Sequence, residues 1–193
     1  MGRPAEFDRD DALEAAIRVF ARQGFAAAST SELLDGMGIG RQSLYGAFGD
    51  KRSLFLDALK RYSDASLLRM RKALEQEPSA MKALEAALLI DLGCGGDLED
   101  GCLGVGSIVE FGRSDPDINA LSDAAALALS TALTARLRDG IASGELKSDL
   151  DADIAGRMLL TVKSGLKIAA RGGASDREVA ESVRLILTGL SAD

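Results

Sequence analysis

The stretch from Thr30 to Lys51, TSELLDGMGIGRQSLYGAFGDK, constrains this chain more than any other. It reads as two short helices joined by a tight turn. Ser29 is placed to cap the first helix, and Glu32, three residues on, completes a capping box. Leu33, Leu34 and Met37 give that helix an apolar side, and Gly36 and Gly38 are expected to stop it. Ile39 is the apolar plug of the turn. The second helix is expected over about Arg41 to Phe48. Leu44 and Phe48, four apart, share its buried face. That leaves Arg41, Gln42, Ser43 and Tyr45 outside or on the flanks.

Those outward residue types suit DNA. An Arg pairs bidentately with guanine and a Gln with adenine in the major groove. Hydroxyls and ammonium groups suit phosphate oxygens. Arg41 and Gln42 are therefore candidate base readers, and Ser43, Tyr45 and Lys51 candidate phosphate contacts. Gly46 and Ala47 are small enough to let the helix backbone come close to the bases. Asp50 is placed to cap a following helix. The arrangement is a helix-turn-helix with its recognition helix second. Its plain alternative is a helical hairpin that merely packs.

The segment GIGRQSLYGAFGDKRSLF resembles the recognition segment of TetR-type transcriptional regulators, in which a Gly-turn precedes a helix ending in Leu-Tyr-x-x-Phe and a Lys opens the next helix. Leu44, Tyr45, Phe48 and Lys51 occupy those places. The resemblance is specific over roughly Phe7 to Ala58; beyond about residue 75 it is one of architecture. It adds Thr30 to the phosphate contacts and makes the first helix a buttress for the reading pair. It also implies a body that holds a small-molecule effector and shifts between conformations when the effector binds. The chain departs from the family at Gly46 and Ala47, where larger residues are frequent.

Composition agrees with an all-α chain. Hydrophobic residues make up 47% of 193 and aromatics only 4%, with three prolines. The net charge of −7 is unevenly spread. Residues 1–72 hold 12 Lys or Arg against 10 Asp or Glu, a net of +2; residues 73–193 hold 11 against 20, a net of −9. A weakly basic head on an acidic body binds DNA only through aimed cations. There is no histidine, which removes Ser-His and Cys-His catalysis and the usual metal sites. Cys94 and Cys102 fit neither a disulfide framework nor a zinc spacing. No cofactor, metal or enzymatic activity is expected. No apolar run reads as a membrane span and no apolar leader opens the chain, so a cytoplasmic protein is expected.

Taken in order, Arg3 beside Pro4 reads as a frayed arm rather than a minor-groove probe. Asp8 to Gln23 is the first helix, ended by Gly24, with Leu13, Ala16, Ile17 and Phe20 as its stripe. A long fourth helix starts at Asp50 and runs to about Leu74. Ser79 to Leu92 forms a fifth, nearly all apolar, and Gly93 to Gly101 an acidic loop. Cys102 to Gly112 forms a sixth, with Glu110 as its one charge, read as solvated. Helices seven, eight and nine follow over about Asp115–Ser143, Asp151–Arg171 and Asp176–Leu190.

The resulting expectation is an all-α fold of about nine helices. Residues 6–66 form a three-helix helix-turn-helix head, and residues 67–193 a helical effector-binding and dimerisation body. The function read from it is sequence-specific DNA-binding regulation, as a repressor of a palindromic operator in double-stranded DNA. A helical interaction or scaffold protein is the rival reading. One reading helix covers one half-site, so a homodimer is expected, through the apolar stripes of the eighth and ninth helices. The effector is expected to be apolar or weakly polar, lined by Leu84, Leu88, Val105, Ile108, Val109 and Phe111. The two thiols read as inert packing or simple exposure rather than sensors.

Overall fold

A computed structural model describes residues 7–92 and 101–192. Arg3 and Cys94 lie outside them. Among the described residues the chain is helical throughout, in nine helices: α1 Arg9–Ala27, α2 Thr30–Met37, α3 Arg41–Phe48, α4 Lys51–Gln76, α5 Ala80–Leu89, α6 Leu103–Phe111, α7 Pro116–Ser143, α8 Ala152–Arg171 and α9 Asp176–Thr188. The only extended pairing among them is a single antiparallel bridge between Leu146 and Ser191.

The helix ends follow local chemistry. Asp8 caps α1, its Oδ1 accepting from the amides of Asp10 and Asp11 at 2.8 and 3.1 Å. Ser29 and Glu32 make the expected capping box on α2. Gly38, left-handed at φ 64°, ends α2. Gly36 does not: it continues the helix, and a side chain there would come within 2.7 Å of Val19. Gly24 breaks α1 at φ 81°, but Phe25 to Ala27 resume as a helical stub.

The described residues divide between two compact units. One runs to Ser63 and takes back the segment ending at Ser122; the other holds the chain from Asp64 and again from Asp123. α6 therefore packs with the helix-turn-helix. The first unit's core joins Leu13, Ile17 and Phe20 of α1 to Leu33, Leu44, Phe48, Leu54 and Phe55, and closes with Leu103 of α6 and Ile118 of α7. Burying each such side chain contributes about 1.5–3 kcal/mol.

The second unit is built on Met70, Leu84, Leu88, Leu133, Leu137, Leu159, Val183 and Leu187. Two polar ties complete it. Glu145 caps α5 from the α7–α8 loop, accepting from the Ser79 hydroxyl at 2.5 Å and the Ala80 amide at 3.0 Å. At the other end of α5 the buried Lys163 ammonium donates to the carbonyls of Ala87, Leu88 and Ile90 at 2.7, 3.2 and 2.6 Å. A cation at a helix C-terminus answers both the dipole and the last free carbonyls.

Two expectations need correction. By length and composition α7 alone, among the described residues, is apolar enough to cross a membrane. Its Leu133 and Leu137 are core side chains, while 22% of that apolar stretch as a whole is buried. The α8 stripe also splits. Of the expected stripe Ile154, Met158, Val162, Gly165, Leu166 and Ala169, Leu166 is buried in the chain's own core and Val162 is half-buried, while Ile154, Met158, Gly165 and Ala169 face outward, joined there by Thr161 and Ile168.

Candidate DNA-binding surface

The reading pair is held from below. Leu44 and Phe48 of α3 are buried at 1% and 4%, against Leu33 and Met37 of α2 and the Phe20 side of α1. Fixing those two side chains turns the remaining positions outward, because residues three and four apart share a helix face. Arg41 and Gln42 are exposed on the first turn of α3. Among the described residues, no hydrogen bond or ion pair engages either side chain. Tyr45, 48% exposed, follows one turn later. Ser43 and Thr30 are half-buried, at the flank of α3 and the first position of α2. Gly40 provides no capping side chain for α3, so its first amides take no side-chain acceptor.

Lys51 opens α4 beside this face. Its ammonium sits 4.5 Å over the centre of the Phe25 ring. Asp50 caps the same helix, and the Ser53 amide, 2.7 Å away, holds the Asp50 carboxyl below its usual range. On α2 the hydrogen bonds from Ser29 likewise hold the Glu32 carboxyl low. Arg9 stacks on the Phe48 ring at 4.6 Å and pairs with Asp57 at 2.7 Å. Arg52 is spent internally, bridging Asp115 and Asp117 at 2.9 and 2.8 Å.

Two residues that shape this surface escape the sequence reading. Phe25 is a platform under Lys51. Glu110, read as solvated, instead accepts from the amides of Phe25 and Ala26 at 2.7 and 2.5 Å. The signal for it was its isolation as the one charge in an apolar helix. Its partners, 85 and 84 residues away, left no trace in local spacing.

The six residues expected to line an effector site fall in different units. Leu84 and Leu88 are fully buried core side chains of the second unit. Val105, Ile108, Val109 and Phe111 lie on α6 in the first. Phe111 packs on Phe25 and Phe55, with ring centres 5.5 and 5.6 Å apart, while Ile108 and Val109 are 59% and 79% exposed. The second unit also carries an open groove of about 600 Å³ between the end of α4 and α7, which includes Arg71, Leu74, Thr131 and Arg136. Cys102 is buried at the start of α6, where its sulfur accepts from the Tyr62 hydroxyl at 3.2 Å. Among the described residues, no group of His, Cys, Asp and Glu could hold a metal ion.

This geometry has close counterparts. The family described as "Bacterial regulatory proteins, tetR family" matches residues 12–58. The transcriptional repressor ComR of Escherichia coli (strain K12) is 30% identical over 178 residues, covering 90% of this chain and 84% of that protein. The uncharacterized HTH-type regulator YezE of Bacillus subtilis (strain 168) is 42% identical over 84 residues; in that match the chain spans 43% of the relative's length. Among solved structures, the TetR family regulator CifR, a cysteine mutant complexed with 26-base-pair operator DNA, superposes with a TM-score of 0.81. Its sequence identity is 31%, covering 96% of this chain and 98% of that one. With a helix-turn-helix whose reading face points outward, and a relative 30% identical over nine-tenths of this chain, the chain belongs to the TetR family of DNA-binding transcriptional regulators.

Proposed function

We propose that the protein is a repressor that binds a palindromic operator as a homodimer and is released by a small-molecule effector. The observation that carries this reading is the unengaged outer face of α3. In it, Arg41 and Gln42 read base edges, while Thr30, Ser43, Tyr45 and Lys51 hold phosphates. The operator-bound neighbour and the repressor among the relatives support the same assignment. The rival scaffold reading needs none of these residues in register. Residues 6–66 act as the DNA-binding part and residues 67–193 as the effector-binding and dimerisation part, in the cytoplasm.

The outward face of α8 supports the dimer. Ile154, Met158, Thr161, Gly165 and Ile168 are spaced four, three, four and three apart, the repeat of a helix seam. Leu185 on α9 adds a large apolar side chain at 76% exposure. A second copy of the same pair buries these groups in a four-helix contact, and Gly165 has open space around it for a close approach.

The effector is apolar or weakly polar, and Val105, Ile108 and Val109 of α6 are its proposed contacts; Leu84 and Leu88, fully buried in the core of the other unit, are withdrawn from the expected lining. Ile108 and Val109 are the informative positions, because changing them leaves the cores intact. Selection of bound duplexes from a random DNA pool tests the main reading. A palindrome with steep salt dependence is expected; sequence-independent retention, or none, overturns it. Release of that duplex by an apolar compound library, weakened by Ile108→Ser and Val109→Ser, tests the effector.

A further inference from the structure

The DNA-facing cation Lys51 does not stand alone in the first unit. Its ammonium rests 4.5 Å over the Phe25 ring. Phe25 is in turn gripped twice by α6. The Glu110 carboxylate takes its backbone amide at 2.7 Å and the next amide, of Ala26, at 2.5 Å. The Phe111 ring stands 5.5 Å from the Phe25 ring, tilted at 53°. Phe55 closes the remaining side, edge-on at 5.2 Å.

The grip has a steric counterpart in Gly24. That residue adopts φ 81°, and a Cβ there would come within 2.8 Å of Glu110 Oε2. The backbone thus breaks just where the carboxylate must enter. The two amides belong to the first turn of the Phe25–Ala27 stub, where no intrahelical acceptor exists. Their position, half-exposed or exposed, means that water would satisfy them if the carboxylate were lost. What the carboxylate adds is a fixed position for Phe25.

We propose that Glu110 and Phe111 of α6 are positioning residues for DNA binding: they hold Phe25 so that its ring presents the Lys51 ammonium to a backbone phosphate. The physical basis is entropy lost before binding. A free lysine gives up several rotatable bonds when it meets a phosphate. One already stacked on a ring gives up less, and still has N–H donors directed away from the ring. The link also makes a DNA contact depend on where α6 stands, because Phe25 follows Glu110 and Lys51 follows Phe25. This inference rests on the reading of Lys51 as a phosphate contact.

The test is a double-mutant cycle on the full-length protein, using the duplex recovered by selection and titrated from about 50 to 200 mM salt. Lys51→Met is expected to weaken binding and lower the salt slope by about one. Glu110→Ala is expected to weaken binding about two- to fivefold, the scale of an exposed cation–π contact, with a partial loss of the slope. Glu110→Gln, which keeps one acceptor, should fall between. In the Lys51→Met background, Glu110→Ala should cost nothing further, while the melting temperature drops equally in both backgrounds. An equal loss of affinity with and without Lys51 overturns the inference and leaves a merely structural role. So does an unchanged affinity in the parent. If Lys51→Met itself leaves the slope unchanged, the phosphate role of Lys51 fails first, and the inference fails with it.

Discussion

The Glu110 carboxylate of α6 accepts the Phe25 amide across 85 residues, at 2.7 Å, beside a backbone break at Gly24. The pair ties a helix expected in the body to the joint between α1 and α2. Gly24 makes the tie possible twice over, by its positive φ and by lacking the Cβ that would strike the carboxylate. Gly24→Ala should therefore destabilise the fold by about 1–2 kcal/mol or more. Thermal unfolding checks this. Adding Glu110→Ala should recover the steric part of the loss but not the backbone part, and full additivity would count against the contact.

Arg41 and Gln42 stand on the outer first turn of α3, with no side-chain partner among the described residues. Arg41→Ala should cost about 1–3 kcal/mol in binding to the selected duplex and relax the preference at one base pair. Stability should stay within about 0.5 kcal/mol of the parent, since an exposed, unengaged side chain is removed. Repeating the selection with the variant shows whether one position loses its preference; an unaltered sequence profile would remove Arg41 from the reading set.

Gly46 lies one turn beyond Gln42 on the same helix, and a Cβ there would meet nothing within 4 Å. No packing inside the chain requires a glycine at this mid-helix position. Gly46→Ala should stabilise the protein by about 1 kcal/mol. If the bare backbone is there to approach DNA, the same change should weaken binding to the selected duplex. Opposite signs in the melt and in the titration are the expected result; equal or tighter binding would make Gly46 irrelevant to recognition.

Gly165 is exposed in the outward seam of α8, with open space around it. Gly165→Glu should leave a folded monomer, because the chain itself has room for the side chain. It should abolish the dimer and, with it, tight operator binding. Light scattering at micromolar concentration reads the outcome. A parent mass near the 20.2 kDa of one chain would refute the dimer itself.

The fold holds the Glu145 carboxyl well below its ordinary value. The Ser79 hydroxyl and then the Ala80 amide pull its carboxyl down from 4.5 to about 2. A depressed carboxyl contributes stability that is complete above the unfolded value and disappears as pH falls through the folded one. Stability should thus decline between about pH 4.5 and 2 through this group. Glu145→Gln should cost about 1 kcal/mol at neutral pH, the scale of a lost cap, and flatten that part of the acid limb. Denaturant melts across the window test it, and an acid limb identical in parent and variant would exclude Glu145 as its source.

What the sequence determined alone is what short-range physics controls. The Ser29–Glu32 box closes over three residues, so it is written in the chain and present in the fold. Leu44 and Phe48 point inward because helical periodicity puts them on one face, and that same periodicity exposes Arg41, Gln42 and Tyr45. The outward placement of these three side chains was legible for this reason.

The tertiary structure decided everything that depends on a distant partner. A glutamate in an apolar helix looks solvated until the Phe25 and Ala26 amides are brought to it. Lys51 looks like a free cation until Phe25, 26 residues earlier, comes under it. Nothing in the local sequence of α8 hints that Lys163 closes the carbonyls of α5, 73 to 76 residues away. Nor could apolar composition separate Ile108 and Val109, which face outward, from Leu84 and Leu88, which are core. Sequence records which groups are charged or apolar along one helix. The free energy of each group depends on what the fold sets against it, and that is chosen by packing between elements far apart in the chain.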